Sequence, residues 1–495
     1  MFMTVLGNIM NPATLLAILG GVAMGISFGA MPGLTSTMGV ALLMPITFSM
    51  SPHVGMLVLI GIFCGAIYGG SITAILINTP GTPSAAATVI DGYQFTLRGE
   101  AGRALGISTF ASFGGGIISG IILILVAPQL AQIALKFNAP ESFALAFFGL
   151  SIIASISGKD LIKGVMSGTL GLLLSLIGMD NVTAYTRFSF GSTYLMGGLS
   201  FIPVLVGLFA LSQCFLTTEE IFVERAKAKK TRNPLPSKKD FRCILPTILR
   251  AGLTGTFIGC IPGAGGDISA FVSYDMERRC SRHPELFGTG IPEGVAAPEA
   301  SNNGTTGGAL IPLLTLGIPG DANTAVMLGA LMMHNLTPGP QLFLTKAATV
   351  NTLFAGFMVA NCFMLLLGLL GQPLFVKIVS IPKRILVPVI IVLCTVGSFA
   401  INNNYYDVVV MVIAGIVGYF LTKGGYPLSP IVLALILGPM AEGNFRRSLV
   451  MSQGSYAIFF QRPFSAAFII IGIISLIWPF IRQHMEKKKL LKQKA

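Results

Sequence analysis

The chain has 495 residues, 53% hydrophobic and 10% charged, with a mean hydropathy of +0.80 and a formal net charge of +13. That balance excludes a soluble globular protein and describes a polytopic membrane protein, in which excess Lys and Arg marks cytoplasmic loops and not a nucleic-acid surface. The first charged residue is Asp91, so the basic start of a cleavable signal peptide is missing and the N-terminus is expected to stay in place.

In chain order, the first unusual stretch is residues 13–46, an apolar run interrupted by Pro32-Gly33 within GISFGAMPGLTST. The second, residues 55–95, is interrupted at Pro80-Gly81. Ordinary apolar runs follow at 104–128, 142–157, 161–178 and 199–216, some of them short for the roughly 20 residues that a spanning helix needs. A basic stretch, ERAKAKKTRNPLPSKKDFR, occupies most of 217–242. Beyond it the interrupted pattern returns, at Pro262-Gly263 within 243–276 and at Pro319-Gly320 within 305–335. Further apolar runs lie at 348–372, 385–401, 405–422, 427–440 and 464–481, and the chain ends on the basic tail 482–495.

A proline inside a helix removes a backbone hydrogen bond, and glycine leaves helical dihedrals readily, so each Pro-Gly pair is expected to end one half-helix and start another. Taken singly, any pair has the alternative of a proline-kinked helix or a tight interfacial turn, since Pro and Gly are frequent in membrane helices. Their positions match, however. Gly25, Gly29, Pro32 and Gly33 recur 230 residues later as Gly255, Gly259, Pro262 and Gly263. GGSITAILINTPGTPSAA from Gly69 resembles GGALIPLLTLGIPGDANTA from Gly307, one residue longer between Gly-Gly and Pro-Gly. The expected fold is all-α and polytopic, with two repeats, each a re-entrant helical hairpin followed by a broken transmembrane helix, and about 11 spans plus two hairpins in all. The first repeat is residues 1–216, with hairpin 13–46, broken helix 55–95 and four spans; 217–242 is a cytoplasmic linker. The second is 243–481, with hairpin 243–276, broken helix 305–335 and five spans.

Charge assigns the orientation. The second hairpin is flanked on both sides by basic sequence and the first by uncharged sequence, so the two are expected to enter from opposite sides, which makes the repeats inverted. Carried along the chain, this topology leaves only Lys136, Arg187, Lys346, Arg446, Arg447 and Arg462 of the 32 Lys and Arg outside. The C-terminal tail is cytoplasmic.

Inverted repeats with interrupted helices mark secondary transporters, whose substrate sits where half-helix ends converge. Helix N-termini expose free N–H groups and partial positive charge, so an anionic substrate is expected. Thr35, Ser36 and Thr37 follow the first break, and Asn78, Thr79, Thr82 and Ser84 surround the second. These hydroxyls and amides suit a carboxylate without the cost of burying Lys or Arg. Each Ser or Thr alone is equally a helix cap. In the second half Asp267 stands where the first has Thr37, and Asp321 where it has Thr82. Acids inside membrane segments are costly and usually functional, so Asp267 and Asp321 either couple transport to Na⁺ or H⁺ or cap their helices. The segment from Gly290, with Glu293, Glu299, Asn302 and Asn303, is too polar to face lipid.

The runs GAMPGLTSTMGVALLMP, YGGSITAILINTPGTPSAAATVIDGY and, above all, EGVAAPEASNNGTTGGALIPLLTLGIPGD resemble the large membrane subunit of the tripartite tricarboxylate transporter family, as does GPMAEGNFRRSL from Gly438. The resemblance covers essentially the whole chain. It implies a multi-pass bacterial inner-membrane symporter for a carboxylate, citrate or a related organic acid, working with a small membrane subunit and a periplasmic solute-binding protein. It also implies that binding falls on the Pro-Gly segments: Pro32 to Thr37, Asn78 to Ser84 with Pro80 and Gly81, Pro262, Gly263, Ala264 and Gly265 on to Asp267, and Pro319 and Gly320 on to Asn323 and Thr324, with Asn302 and Asn303 nearby. The alternatives are the large subunit of a tripartite ATP-independent periplasmic transporter or a one-component dicarboxylate symporter, which would share hairpins but not PEASNN and LGIPGD. A channel filter built by symmetric subunits does not suit a Gly-rich internal duplication. No enzyme is expected: His53, His283, His334 and His484 lack metal spacing or a partner motif. The seven Cys show no metal or disulfide pattern, so no cofactor is expected beyond a coupling Na⁺.

Overall fold

The computed structural model describes residues 2–31, 34–151, 161–180, 183–219, 235–371, 374–375 and 383–477. Most of the linker 217–242, the tail 482–495, the end of the predicted run 142–157 and the pair Pro32-Gly33 lie outside the described residues. The described chain is almost wholly α-helical, and eight of its helices are long and apolar enough to cross a membrane. It is an all-α polytopic membrane protein. It divides into two compact units, one made of Met1–Ala131 and Phe209–Asn404, the other of Gln132–Leu208 and Tyr405–Ala495.

In the first unit, α1 (Phe2–Met10) leads into α2 (Pro12–Gly29), which begins on a proline at its first turn and on Asn11, whose side chain accepts from the Ala13 N–H. Both devices suit a helix start. Across the first break, α3 (Ser36–Thr47) starts on the Thr35 side chain, which accepts from the Met38 N–H at 3.1 Å. Then come α4 (Pro52–Ile77), a 3₁₀ turn at Pro83–Ala85, α5 (Ala86–Leu97) and α6 (Ala101–Ala134).

The second unit contributes α7 (Ala139–Ser151), α8 (Leu161–Ser175) and a two-residue antiparallel pairing of Gly178–Met179 with Thr186–Arg187. The helix α9 (Phe201–Glu219) follows, widened to a π-helix over Val206–Leu211; its residues up to Leu208 belong to this unit and those from Phe209 to the first. The first unit resumes with α10 (Lys238–Cys260), opened by a reciprocal Ser237–Asp240 capping box, then α11 (Gly265–Cys280), α12 (Pro292–Leu316), α13 (Ala322–Met333), α14 (Ala347–Leu370) and α15 (Lys383–Asn402). The second unit closes with α16 (Tyr405–Lys423), α17 (Ser429–Met451) and α18 (Pro463–Ile477).

Glycine explains how the hairpin arms approach the broken helices. A Cβ on Gly21, Gly25 or Gly29 of α2 would strike the backbone of Val58, Ile62 or Ala66 on α4, and one on Gly65 or Gly69 would strike Val22 or Ile26. The same contacts recur between α10 and α12, where Gly255 and Gly259 face Ser301 and Thr305, and Gly304 and Gly308 face Gly252 and Thr256. Small residues every fourth position let two backbones touch, the main source of helix association where lipid removes the hydrophobic drive. Each hairpin's second arm reaches the other broken helix: α3 packs on α13, and α11 packs on α5 and its 3₁₀ turn.

These contacts correct one expected register. Gly65 matches Gly304, Gly69 matches Gly308, Asn78 matches Gly317 and Gly81 matches Gly320, each 239 positions apart. Pairing Gly69 with Gly307 introduces a one-residue insertion that the structure does not need. Both helices stop on a left-handed residue, Asn78 (φ 56°) and Gly317 (φ 71°), because asparagine and glycine tolerate that conformation.

The start of α12 is fixed by Asp91 of α5, which is buried and accepts from the N–H groups of Gly288, Gly290 and Ile291 and from the Tyr274 hydroxyl (2.8 Å). Arg98 donates to the carbonyls of Thr289 and Gly290. In the second unit α17 packs on α7 and α8. There Asp180, Arg187, Glu442 and Arg446 form one ion-pair cluster, and Arg462 pairs with Glu141 at 3.0 Å.

Candidate functional site

Four helices begin at the four breaks: α3 after Thr35, the 3₁₀ turn and α5 after Thr82, α11 after Ala264 and α13 after Asp321. All lie in the first unit, and the breaks touch one another. The Thr37 hydroxyl donates to Asn323 Oδ1 (3.2 Å), joining the first hairpin to the second broken helix. The Gly263 N–H donates to the Gly320 carbonyl (2.6 Å), joining the second hairpin to that same helix. A Cβ on Gly266 would lie 3.1 Å from Ser84 Cβ, which brings the second hairpin onto the first broken helix. Gly81 packs against the Gly29 carbonyl, and Gly320 against that of Gly259.

The reason glycine stands at these points is local. Gly263 (φ 83°) and Gly265 (φ 59°) are left-handed, so the tip of the second hairpin uses a conformation that side chains resist. Pro262, Gly263, Ala264 and Gly265 are all half-buried. Ser36, Thr37, Gly81, Thr82, Ser84, Pro319, Gly320, Asn323 and Thr324 are buried, with Thr35 and Pro80 half-buried. Asn78 and Thr79 are exposed, and their side chains reach none of the other breaks among the described residues. Pro32 and Gly33 lie outside the described residues.

The two acids behave differently. Asp321 is an N-cap: its carboxylate accepts from the Thr324 N–H (2.8 Å) and hydroxyl (2.6 Å) and from Asn323 Nδ2 (3.1 Å), while its own N–H donates to Thr324. Asp267 lies in the first turn of α11, is exposed, and has no hydrogen-bonding partner among the described residues. A Cβ on Gly265 would lie 3.9 Å from Asp321 Cβ, so both acids belong to one neighbourhood. No Lys or Arg among the described residues hydrogen-bonds to any of the four breaks. An anion there would meet helix N-termini, hydroxyls and amides.

Asn302 Nδ2 donates to the Ser84 carbonyl (3.3 Å), tying α12 to the first broken helix. Asn303 Nδ2 donates to Asn302 Oδ1 (2.8 Å) and the Glu299 carbonyl (3.2 Å). Two features escaped the sequence reading. Pro338-Gly339, a further pair beyond 335, braces the end of α12 through the Gly339 N–H donating to the Leu314 carbonyl (3.0 Å). Glu299 is wholly enclosed within hydrogen-bonding reach of Thr88 and Ser112; its presence in a polar run was visible, but not its enclosure.

Apolar helices interrupted inside one unit, with their unwound ends gathered around polar side chains, define a membrane transport protein. Residues 15–433 match the tripartite tricarboxylate transporter TctA family, and the chain belongs to that family. It is 37% identical over 481 residues, 97% of this chain and 96% of the relative, to an uncharacterized 52.8 kDa protein of the TAR-I ttuC' 3' region of Agrobacterium vitis. A second Agrobacterium vitis protein, uncharacterized and from the TAR-II ttuC' 3' region, is 36% identical over 223 residues, 45% of this chain and 92% of the relative. No solved structure matches.

Proposed function

We propose that the chain is the translocating subunit of a binding-protein-dependent uptake system for carboxylates, a tricarboxylate such as citrate or a related organic acid. It sits in the bacterial inner membrane with its C-terminus in the cytoplasm. A small membrane subunit completes the membrane part, and a periplasmic solute-binding protein delivers the substrate. The meeting of four helix starts at the Pro-Gly breaks carries this reading: N-terminal N–H groups and the hydroxyls of Thr37, Thr82 and Ser84 suit an anion, with no Lys or Arg bonded to them among the described residues. The two repeats, inverted by the charge argument, would present these breaks alternately to either side. A Na⁺ or H⁺ gradient drives the cycle through carboxylates beside the breaks. Asp267 is open to a cation, whereas Asp321 offers only what its cap leaves.

Gly263→Val tests the reading, because a branched side chain cannot adopt φ 83° without strain, and relieving that strain would disturb the Gly263 N–H bond to the Gly320 carbonyl. Membrane vesicles holding the chain with the small subunit and binding protein of its system should accumulate radiolabelled citrate or another di- or tricarboxylate. The variant, at equal abundance, should lose about tenfold or more of that uptake, the order expected when a substrate-positioning element is displaced. Absence of uptake for every carboxylate offered, or normal uptake by the variant, overturns it.

A further inference from the structure

The buried carboxylate of Glu299 is not explained by anion binding. It stands on α12, completely enclosed, and accepts hydrogen bonds from the Thr88 hydroxyl of α5 and the Ser112 hydroxyl of α6 (3.0 Å). No Lys or Arg among the described residues pairs with it. The Tyr68 hydroxyl of α4 is engaged elsewhere, with Thr109 (2.9 Å) and the Gly368 carbonyl (3.4 Å). A carboxylate inside a membrane protein needs a compensating positive charge, a proton or a bound cation.

A second observation favours the cation. Asn303, one helical turn beyond Glu299 and on the same face, is fully buried, and its Oδ1 has no hydrogen-bonding partner among the described residues. The amide cannot be turned to remove the deficit, since its nitrogen is committed to the Glu299 carbonyl and to Asn302 Oδ1. A proton on Glu299 has the Thr88 and Ser112 hydroxyls already at its two oxygens to accept it, and so brings Asn303 Oδ1 no partner of its own. A small hard cation would satisfy both, because carboxylate, amide and hydroxyl oxygens are the ligands such ions take.

We propose that Glu299, Asn303 and the hydroxyls of Thr88 and Ser112 form a Na⁺ site, distinct from Asp267 and Asp321. This deepens the transport reading and rests on it for its purpose. The wiring to the substrate segments is direct: Asn303 donates to Asn302, and Asn302 donates to the Ser84 carbonyl beside the first broken helix's Pro-Gly pair. Occupancy would fix the second half of that helix, through Thr88, and the break, through Ser84, in one arrangement. Ion binding would thereby prepare the carboxylate site.

The test uses the purified full chain in detergent, with Na⁺ alone as probe and no substrate. Its melting temperature is followed as NaCl replaces choline chloride or KCl at constant ionic strength, at several pH values. Binding to the folded state raises the melting temperature in a saturable way. Wild type should show a Na⁺-specific rise, and Glu299→Gln and Asn303→Ala should each move its midpoint about tenfold or more to higher Na⁺, as loss of a ligand or its supporting shell does. Glu285→Gln, at an exposed acid outside the breaks and outside this cluster, should leave it in place. Two further arms cover a Glu299→Gln chain that fails to fold: Asn303→Ala, and Glu299→Asp, which keeps the charge and should retain a weakened response. A wild-type response to pH but not to Na⁺ would make Glu299 a proton carrier and overturn the proposal, as would an unchanged midpoint in Asn303→Ala. Because no carboxylate is present, failure to transport citrate would leave this result intact, and loss of Na⁺ binding would leave the uptake measurement intact.

Discussion

Asp321 shows how one acid can be read from its partners. Both of its carboxylate oxygens accept hydrogen bonds inside the first turn of α13, and Thr324 returns the bond to its backbone. Asparagine caps a helix about as well as aspartate, whereas alanine forfeits about 1 kcal/mol. Asp321→Asn should therefore keep both the folded stability and the ion dependence of uptake, and Asp321→Ala should lower stability by about that amount; thermal unfolding with parallel uptake assays checks it. A loss of ion dependence in Asp321→Asn at full stability would return the residue to the coupling role. Asp267, with no cap to make at the third position of its helix and no bonding partner among the described residues, is the acid free for chemistry at the breaks.

At the scale of elements, the repeated Gly-x-x-x-Gly and the repeated Pro-Gly do separate work. The glycines bring a hairpin arm against its own broken helix, and the Pro-Gly pairs open the helix ends that gather in the first unit. Gly65→Ala would drive a methyl group into the Val22 carbonyl, while Gly20→Ala on the neighbouring helix meets nothing within 4 Å. The first should cost about 1–3 kcal/mol, as overpacking does. The second should be neutral or stabilising by about 0.5–1 kcal/mol, since alanine is the better helix former. Thermal unfolding in detergent distinguishes them, and equal behaviour would remove close backbone packing as the reason for the motif. That helices end and restart around Pro80-Gly81, Pro262-Gly263 and Pro319-Gly320 could be read from sequence, because a proline-glycine pair inside an apolar run has few structural meanings. The register of the second break could not, because Gly69-Gly70 and Gly307-Gly308 look like anchors, while the contacts follow Gly65 and Gly304. The crosswise packing of α3 on α13 and of α11 on α5 was hidden as well, since spacing along a chain does not say which repeat an arm will meet. Glu299 escaped for a related reason: α12 is buried on nearly every side, so no periodicity separates an inward face from an outward one.

For the whole molecule, direction across the membrane follows from charge more directly than from packing. The linker and tail concentrate Lys and Arg, while the sequence before Asp91 has no charge at all. Translocating such basic clusters against the membrane potential is disfavoured, and short loops follow the bias most strictly. The segments around Lys230 and the C-terminus should therefore lie in the cytoplasm, with Met50, between α3 and α4, outside. Replacing the seven native Cys and introducing one at position 50 or 230 makes the assignment measurable with an impermeant maleimide on intact spheroplasts. Label should enter at position 50 and reach position 230 only after the membrane is opened. The reverse pattern would turn the molecule over, and labelling of both from one side would place the hairpins on the same face. The repeats would then be parallel, and alternating exposure of the breaks by mirrored motion of two halves would lose its basis.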